Sequence, residues 1–417
     1  MRAHWKSAMT AIGAALSTLI AASCSDASRV VSVDRSALRR GASTDQGASG
    51  PPSTLQWNAK AIALAAKYKL NQTFAARSYM LVSVSESRAL DALETNAGTS
   101  EDLDNGVASR GGALGGAAVT VLTYLFPAEQ NALEAMLASL RATAPSPSHF
   151  DAAVATGRAA AQGVVDLAVT DGSDAVVVPV IPVGPGFWKS AGNVLTPQWP
   201  FVRPMLMASG DQFRPNPPPA FGSAEFLTAL QRVRAFSDSR TPEQLAILNF
   251  WNDPGAVGGH SGHWNQIAVG LILNHNLDER KTVHVLESLN LAISDAAIAC
   301  MDAKYTYWYI RPYQVDALIT TPLGQPPHPS YPSLHACLGG AAVGVLEHEF
   351  PADTDDLEAT LGEMLLSREW AGLHYWFDTD VGATIGRHVA DLANSREAQE
   401  HAAESQRQQG QRNYTGR

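Results

Sequence analysis

Apolar residues recur at intervals of three and four along most of the chain, the spacing of one helix face. From Trp57 onward this holds for residues 59–68, 72–93, 111–125 and 150–167. Within 72–93 the polar residues Glu86, Arg88 and Asp91 fall on the face left for water. Residues 111–125 set Ala and Gly against one another, as closely approaching helices do. The pattern breaks over 174–222, where VVPVIPVGPGFW and RPNPPPAFG are dense in Pro and Gly and read as extended loop. Helical spacing resumes near Ser223 and persists to about Ala393. Alternation of period two is scarce. Its best stretch, 175–181 (AVVVPVI), is interrupted by Pro179, which cannot donate to a central ladder. The pattern predicts an all-α protein of packed helical bundles joined by a long Pro-rich excursion. It divides into an N-terminal helical region, 56–222, and a C-terminal helical bundle, 223–395. A polar, Gln-rich tail, 396–417, is expected to fray.

The first residues do not read as fold. Arg2, His4 and Lys6 precede a small, apolar run at 8–22, and Ala21-Ala22-Ser23-Cys24 follows. This resembles a bacterial lipoprotein signal, although Leu is more usual where Ala21 stands. It predicts a signal peptide over 1–23 and a lipid on Cys24, with an ordinary cleaved signal as the alternative. Residues 24–55, rich in Ser, Gly, Asp and Ala, read as a flexible tether. The expected location is outside the cytoplasm, periplasmic or lipid-anchored to a bacterial envelope membrane. No later stretch reaches about 18 consecutive apolar residues, so no spanning helix is expected in the body.

Composition narrows the class. The 417 residues are 17% charged and 45% hydrophobic, ordinary for a globular enzyme. The formal net charge of −10 argues against a nucleic-acid partner. Against that acidic background, three basic segments near the C-terminus stand out: 304–312 (KYTYWYIRP), 332–335 (PSLH) and 367–378 (SREWAGLHYWFD). Lys304 and Arg311 lie seven apart, two helical turns, which predicts one shared face. Pro312 then marks an expected helix end. Arg368 and His374 fall on a second helical stretch, with Asp378 one turn beyond His374 and within reach of its ring. Three permanent cations have little use in a core unless something anionic sits between them, so these spacings suit one oxyanion pocket.

Written as K-x6-R-P, P-S-x-H and S-R-x5-H-x3-D, the three blocks resemble the signature shared by the vanadium haloperoxidases and the type-2 phosphatidic acid phosphatases. Upstream segments extend the resemblance toward soluble bacterial haloperoxidase-like proteins: 212–220 (QFRPNPPPA), RTPEQLAI around Thr241, 250–253 (FWND) and 263–268 (HWNQIA). The similarity covers residues 56–395. It implies two packed helical bundles with the anion pocket at the end of the C-terminal one. It also implies roles. Arg311 and Arg368 hold oxyanion oxygens with forked donors, and Lys304 adds a point charge. Ser333 donates its hydroxyl, and the amide of residue 334 donates another hydrogen bond. His374 bonds to vanadium, or in the phosphatases attacks phosphorus. Asp378 fixes the His374 tautomer, and His335 acts as general acid/base. Asp253 is the implied partner of Arg368, or a simple helix-terminal cap. His328 and Met301 are implied to lie near the approach of halide, or merely to line the pocket.

One position departs from the family. Leu334 stands where Gly is usual. Its amide is kept, but its isobutyl group is expected to narrow or dry one cavity wall. Three functions remain open. The first is a haloperoxidase that holds vanadate at His374 and uses hydrogen peroxide, halide and a small organic acceptor. The second is a soluble acid phosphatase with a phosphohistidine intermediate, since phosphate fits the same donors. The third, suggested by Leu334, is a non-enzymatic anion-binding lipoprotein. Two side motifs carry less. His260 and His263 have a spacing seen in zinc sites, yet no third ligand is near in sequence. An oxidising compartment would permit a Cys300–Cys337 disulfide, but two buried free thiols are the simpler reading.

Overall fold

Thirteen α-helices and no β-strand make up the described residues of the computed structural model, which are 52–96, 103–252 and 258–415. The signal peptide, Cys24, most of the tether and Asp253 fall outside them. The first five helices are α1 (Ser53–Lys67), α2 (Gln72–Asn96), α3 (Leu103–Leu125), α4 (Gln130–Thr143) and α5 (Pro147–Val169). The first helix thus starts at Ser53, slightly before the expected tether end. Its two leading amides donate to the Glu279 carboxylate at 2.7 and 3.0 Å. After the irregular excursion come α6 (Ala224–Asp238), α7 (Pro242–Asn252), α8 (His260–Asn274), α9 (Glu279–Tyr307) and the single turn α10 (Pro312–Val315). The last three are α11 (Leu334–Glu349), α12 (Thr354–Trp370) and α13 (Trp376–Thr415). The expected fraying tail is instead a continuation of α13 to Thr415. Its Ala, Gln, Glu and Arg are strong helix formers.

Two large cores are shared through one helix. Trp57, Leu81, Val121, Phe150 and Val164 form the N-terminal core. Trp264, Leu289, Ile293, Leu338, Val345 and Val389 belong to the C-terminal one. Helix α9 serves both, because Leu291 enters the first core while Leu289 and Ile293 enter the second. This explains its near-complete burial from Thr282 to Lys304. It is long and apolar enough to cross a membrane, yet most of that stretch is buried against other helices. Buried amides then fix the register between halves. Asn58 Nδ2 donates to Asn265 Oδ1 (2.7 Å), Asn265 Nδ2 to Asn290 Oδ1 (2.8 Å), and Asn290 Nδ2 to Ser83 Oγ (2.9 Å). The chain of bonds ties α1, α8, α9 and α2, and a one-residue slip would leave buried donors unpaired.

The excursion between α5 and α6 is fastened to α9 as well. Buried Asp295 accepts the amides of Leu206 (2.7 Å) and Met207 (3.0 Å), and Arg214 pairs with Asp302 (2.7 Å). Farther along, Trp188 N donates to Trp308 O at 2.6 Å and Ile310 N to Gly186 O at 3.0 Å, around an isolated antiparallel bridge between Phe187 and Tyr309. The excursion therefore buttresses the segment that leads to Arg311.

Helices α11 and α13 approach until their backbones touch. A Cβ at Gly340 would overlap the Ala383 carbonyl oxygen, and one at Gly386 would overlap the Cys337 carbonyl oxygen. The contact matters because the N-terminus of α11 carries Ser333 and His335, and the first turn of α13 carries Asp378. Gly386→Ala should therefore force the two helices apart and cost roughly 1–3 kcal/mol. Thermal denaturation is the check, and a Tm within one degree of wild type would contradict this close packing.

Candidate functional site

The three sequence blocks meet at one buried place, but not by the expected local geometry. Helix α9 ends at Tyr307, where Trp308 takes a left-handed conformation (φ 49°), so Lys304 and Arg311 do not share a helix face. Arg311 is extended and caps α10, whose first residue is Pro312, so this proline starts a turn rather than ending a helix. Arg368 lies in the last turn of α12, and His374 sits in the short link before α13. Lys304, Arg311, Ser333, Arg368 and Asp378 are all fully buried, and His374 nearly so.

Asp378 organises one side. Its Oδ2 accepts from Ser330 Oγ (2.5 Å), His374 Nδ1 (2.9 Å) and the Tyr375 amide (3.2 Å), and its carbonyl accepts the Ser333 amide (2.8 Å). Arg311 Nη1 donates to His374 Nε2 at 3.0 Å and to the Leu373 carbonyl at 2.8 Å. An arginine is always a donor, so Nε2 is the acceptor and the proton of this ring lies on Nδ1, toward the carboxylate. The His374 lone pair thus points into the cationic cluster. Arg311 also holds His328, through Nη2 to Nδ1 at 3.1 Å and Nε to the carbonyl at 3.2 Å.

On the other side Arg368 Nε donates to Ser367 Oγ (2.9 Å) and its Nη1 to His335 Nε2 (2.9 Å). His335 keeps a solvent-accessible edge, and its ring touches that of His260. Lys304 also serves the loop beside the site. Its ammonium donates to the carbonyls of Pro329 (2.8 Å), Ser330 (2.9 Å) and Pro332, which takes up all three of its protons. It holds the loop before Ser333 and contributes charge rather than a free donor.

Burial and mutual repulsion set the protonation. Burial pulls Arg368 down to about 9 and Lys304 to about 8, the latter opposed by the Cys300 thiol and reinforced by Arg311. Burial raises Asp378 to about 6, against the Ser330 hydrogen bond and the charges of Lys304 and Arg311. His374 is driven well below its ordinary range by burial, then Arg311 and Lys304, and His335 by burial, then His260 and Arg368. His328 and His260 follow for the same reasons. Near neutral pH the described side chains bring three cations, one carboxylate and four neutral imidazoles to one point. Buried excess positive charge is costly unless an anion joins it.

Two donors make that anion specific. Ser333 Oγ and Arg368 Nη2 are buried with no hydrogen-bond partner among the described residues. Ser333 precedes α11 without capping it, and the leading amides of that helix, from Leu334 on, have no partner within the helix. An acceptor with several oxygens, such as a tetrahedral oxyanion, satisfies all of these at once. The Leu334 side chain counts among the buried residues of the C-terminal core, as does Met301. Cys300 and Cys337 are both free and buried. Asp253, proposed against Arg368, lies outside the described residues. Sequence reasoning gave no role to the hydroxyls of Ser330 and Ser367, which hold Asp378 and Arg368. It put His260 down to a glycine-flanked loop rather than a zinc site, whereas the fold sets its ring beside that of His335, with neither nitrogen partnered among the described residues. Gly258 and Gly259, both left-handed, were the available signal for a special turn there.

No protein-family model matches the sequence, and no curated protein is similar enough in sequence to match. Solved structures do match. The chain is similar to the first bacterial vanadium-dependent iodoperoxidase, with TM-score 0.70 and 23% identity over 82% of this chain and 95% of that one. It is also similar to a bacterial vanadium-dependent chloroperoxidase in its apo form (TM-score 0.65, 15% identity, 78% of this chain and 93% of that one). The holo form gives TM-score 0.64 and 15% identity over 85% of this chain and 94% of that one. The chain therefore has the helical vanadium-haloperoxidase fold.

Ser333→Ala should act with opposite signs on stability and binding. Removing a buried unpaired hydroxyl should leave the anion-free protein as stable or raise it by about 1 kcal/mol. The extra Tm that wild type gains in millimolar phosphate should shrink in the variant. A variant with lower Tm and an unchanged phosphate response would show that Ser333 is a packing residue.

Proposed function

We propose that the protein is a vanadium-dependent haloperoxidase, oxidising halide with hydrogen peroxide. The observation that carries this reading is the burial of Lys304, Arg311 and Arg368 with a His374 whose Nε2 lone pair accepts from Arg311, together with a Ser333 hydroxyl that has no partner among the described residues. Those residues fit vanadate. His374 would bond to it through Nε2, while Arg311, Arg368, Ser333 and the Leu334 amide would hold its oxygens. When bound, vanadate supplies the Lewis acid that activates hydrogen peroxide. Halide gives two electrons, the O–O bond breaks, one proton is taken up, and hypohalous acid and water leave. A small organic acceptor can then be halogenated.

The chain's own contribution is positioning and charge. Asp378 holds the His374 proton on Nδ1 and so leaves the Nε2 lone pair to accept, at present from Arg311, which an incoming ligand would displace. Arg311 and Arg368 offset negative charge on the anion in a site from which water is largely excluded. His335 is the one imidazole of the four with a solvent-accessible edge, which suits it to exchange protons with the medium. Its Nε2 faces Arg368, so Arg368 sets its orientation.

A phosphomonoesterase is the second reading, favoured by Lys304. All three donors of that ammonium are committed to backbone carbonyls, so it offers the bound oxygen no hydrogen bond. In this reading His374 Nε2 attacks phosphorus and the ester P–O bond breaks. His335 gives a proton to the leaving alcohol, then takes one from the water that cleaves the N–P bond. Purified protein should brominate monochlorodimedone when vanadate, bromide and peroxide are present. It should hydrolyse p-nitrophenyl phosphate at least tenfold more slowly. The reverse ranking would select the phosphatase. His374→Ala should abolish vanadate binding in calorimetry, whereas His335→Ala should bind but turn over slowly. Equal loss of binding in both would reverse the two assignments.

The amino-terminal pattern supports export and a lipid anchor on Cys24. Cys24→Ser should shift the protein from the membrane fraction to the soluble one. A soluble wild-type protein would favour simple cleavage of the signal.

A further inference from the structure

His260 is a buried titratable side chain with no task in holding the anion. It is the first residue of α8 and only 2% exposed. The turn before it is fixed. Gly258 and Gly259 are left-handed (φ 66° and 82°), and the Gly258 carbonyl accepts from Tyr79 Oη at 2.8 Å. Burying a polar group without a partner costs its hydration. His260 bears that cost at both ring nitrogens, neither of which has a partner among the described residues. Packing alone would be served better by phenylalanine. The imidazole lies against His335 instead, with ring centroids 3.2 Å apart and planes inclined by 54°.

His335 is arranged for two protonation states. Its Nε2 accepts from Arg368 Nη1 at 2.9 Å, so the neutral ring carries its proton on Nδ1. The Trp251 carbonyl lies 3.3 Å from the same Nε2, an acceptor of use only to a ring protonated there. Nε2 thus has a partner in either state, whereas Nδ1–H has none among the described residues. We infer that His260 is a positioning residue for His335: one of its ring nitrogens accepts the His335 Nδ1 proton, so that Nε2 alone gains and loses a proton in turnover. This rests on the acid–base role given to His335 under both readings of the function. It requires only a turn of the His260 ring about Cβ–Cγ, a soft torsion in histidine. The proton count balances. His335 takes one proton on Nε2 from the medium, Arg368 Nη1 turns to the anion, and the same proton passes to a substrate oxygen. The N–H of His260 stays on its other nitrogen throughout. A carboxylate in this place would hold the Nδ1 proton too, but it would also pair with Arg368 and cancel charge that the anion needs. A neutral imidazole avoids that. Burial keeps both rings neutral, reinforced by the groups that face the pair: Arg368 on α12, His263 on α8, and His328 and His374 in the adjoining links.

The test uses the full chain and whichever of the two activities wild type shows, with NMR of nitrogen-15 histidine as a readout that needs no turnover. His260→Phe keeps a ring without an acceptor, and His260→Gln keeps an acceptor. Should the phenylalanine variant not fold, His260→Leu takes its place with the same expectations. In wild type the His335 Nδ1 proton should be a distinct, slowly exchanging resonance. In His260→Phe it should exchange with water at least about tenfold faster, and kcat should fall about tenfold. Vanadate affinity by calorimetry should stay within about twofold of wild type, because the anion-holding groups are untouched. His260→Gln should recover most of the loss in both exchange and kcat. A wild type whose Nδ1 proton is unprotected overturns the inference. So does a fall in kcat with unchanged exchange, which packing alone would explain, and so does a glutamine variant no better than phenylalanine. A slow His335→Ala beside a fast His260→Phe sinks this inference and spares the role of His335. A His335→Ala as fast as wild type removes that role, and the inference with it.

Discussion

The constraint on which the structure depends is the burial of three cations at one point. Lys304, Arg311 and Arg368 are withdrawn from water with one carboxylate hydrogen-bonded among them. That arrangement is costly by itself, and the surrounding fold is built to tolerate it. Lys304 spends its protons on three loop carbonyls, Arg311 on carbonyls and two imidazoles, and Arg368 on a serine and an imidazole. Burial, reinforced by the positive charges nearby, keeps four histidines neutral, so their ring nitrogens can accept hydrogen bonds.

Rigidity of the scaffold follows from the same need. An anion site works only if its donors stay aimed when no ligand is present. The backbone contact of α11 with α13 fixes Ser333 and His335 relative to Asp378. The asparagine chain from α1 to α9 and the Asp295 anchor fix the long helix that carries Lys304. The excursion supports the Arg311 segment from outside through its bonds to residues 308 and 310. Each support comes from a different part of the chain.

Much of this was written locally in the sequence. Helical spacing located α2, α3 and α5 to within a few residues at most boundaries, because an amphipathic stripe is a local property. The Pro-rich break was equally plain, since proline acts on its own neighbours. The three motifs named the charged residues of the site, because buried cations at fixed spacings are rare enough to be informative. Helix α4 and the helical tail were less visible, the first being short and the second lacking an apolar face.

What the sequence could not decide was which atom faces which. The spacing of Lys304 and Arg311 suggested one helix face, yet a left-handed Trp308 breaks the helix between them and tertiary contacts return Arg311 to the site. Whether Lys304 offers a donor or only a charge depended on where residues 329–332 pass, which is a matter of chain path. The bond from Arg311 to His374 and the meeting of His260 with His335 arise from groups far apart in sequence. The sequence by itself determined the helical class, the excursion and the chemical identity of the anion-holding groups, because those rest on local periodicity and residue type. Only the tertiary structure decided their donors and protonation, because hydrogen-bond direction and burial are set by the neighbours that folding brings.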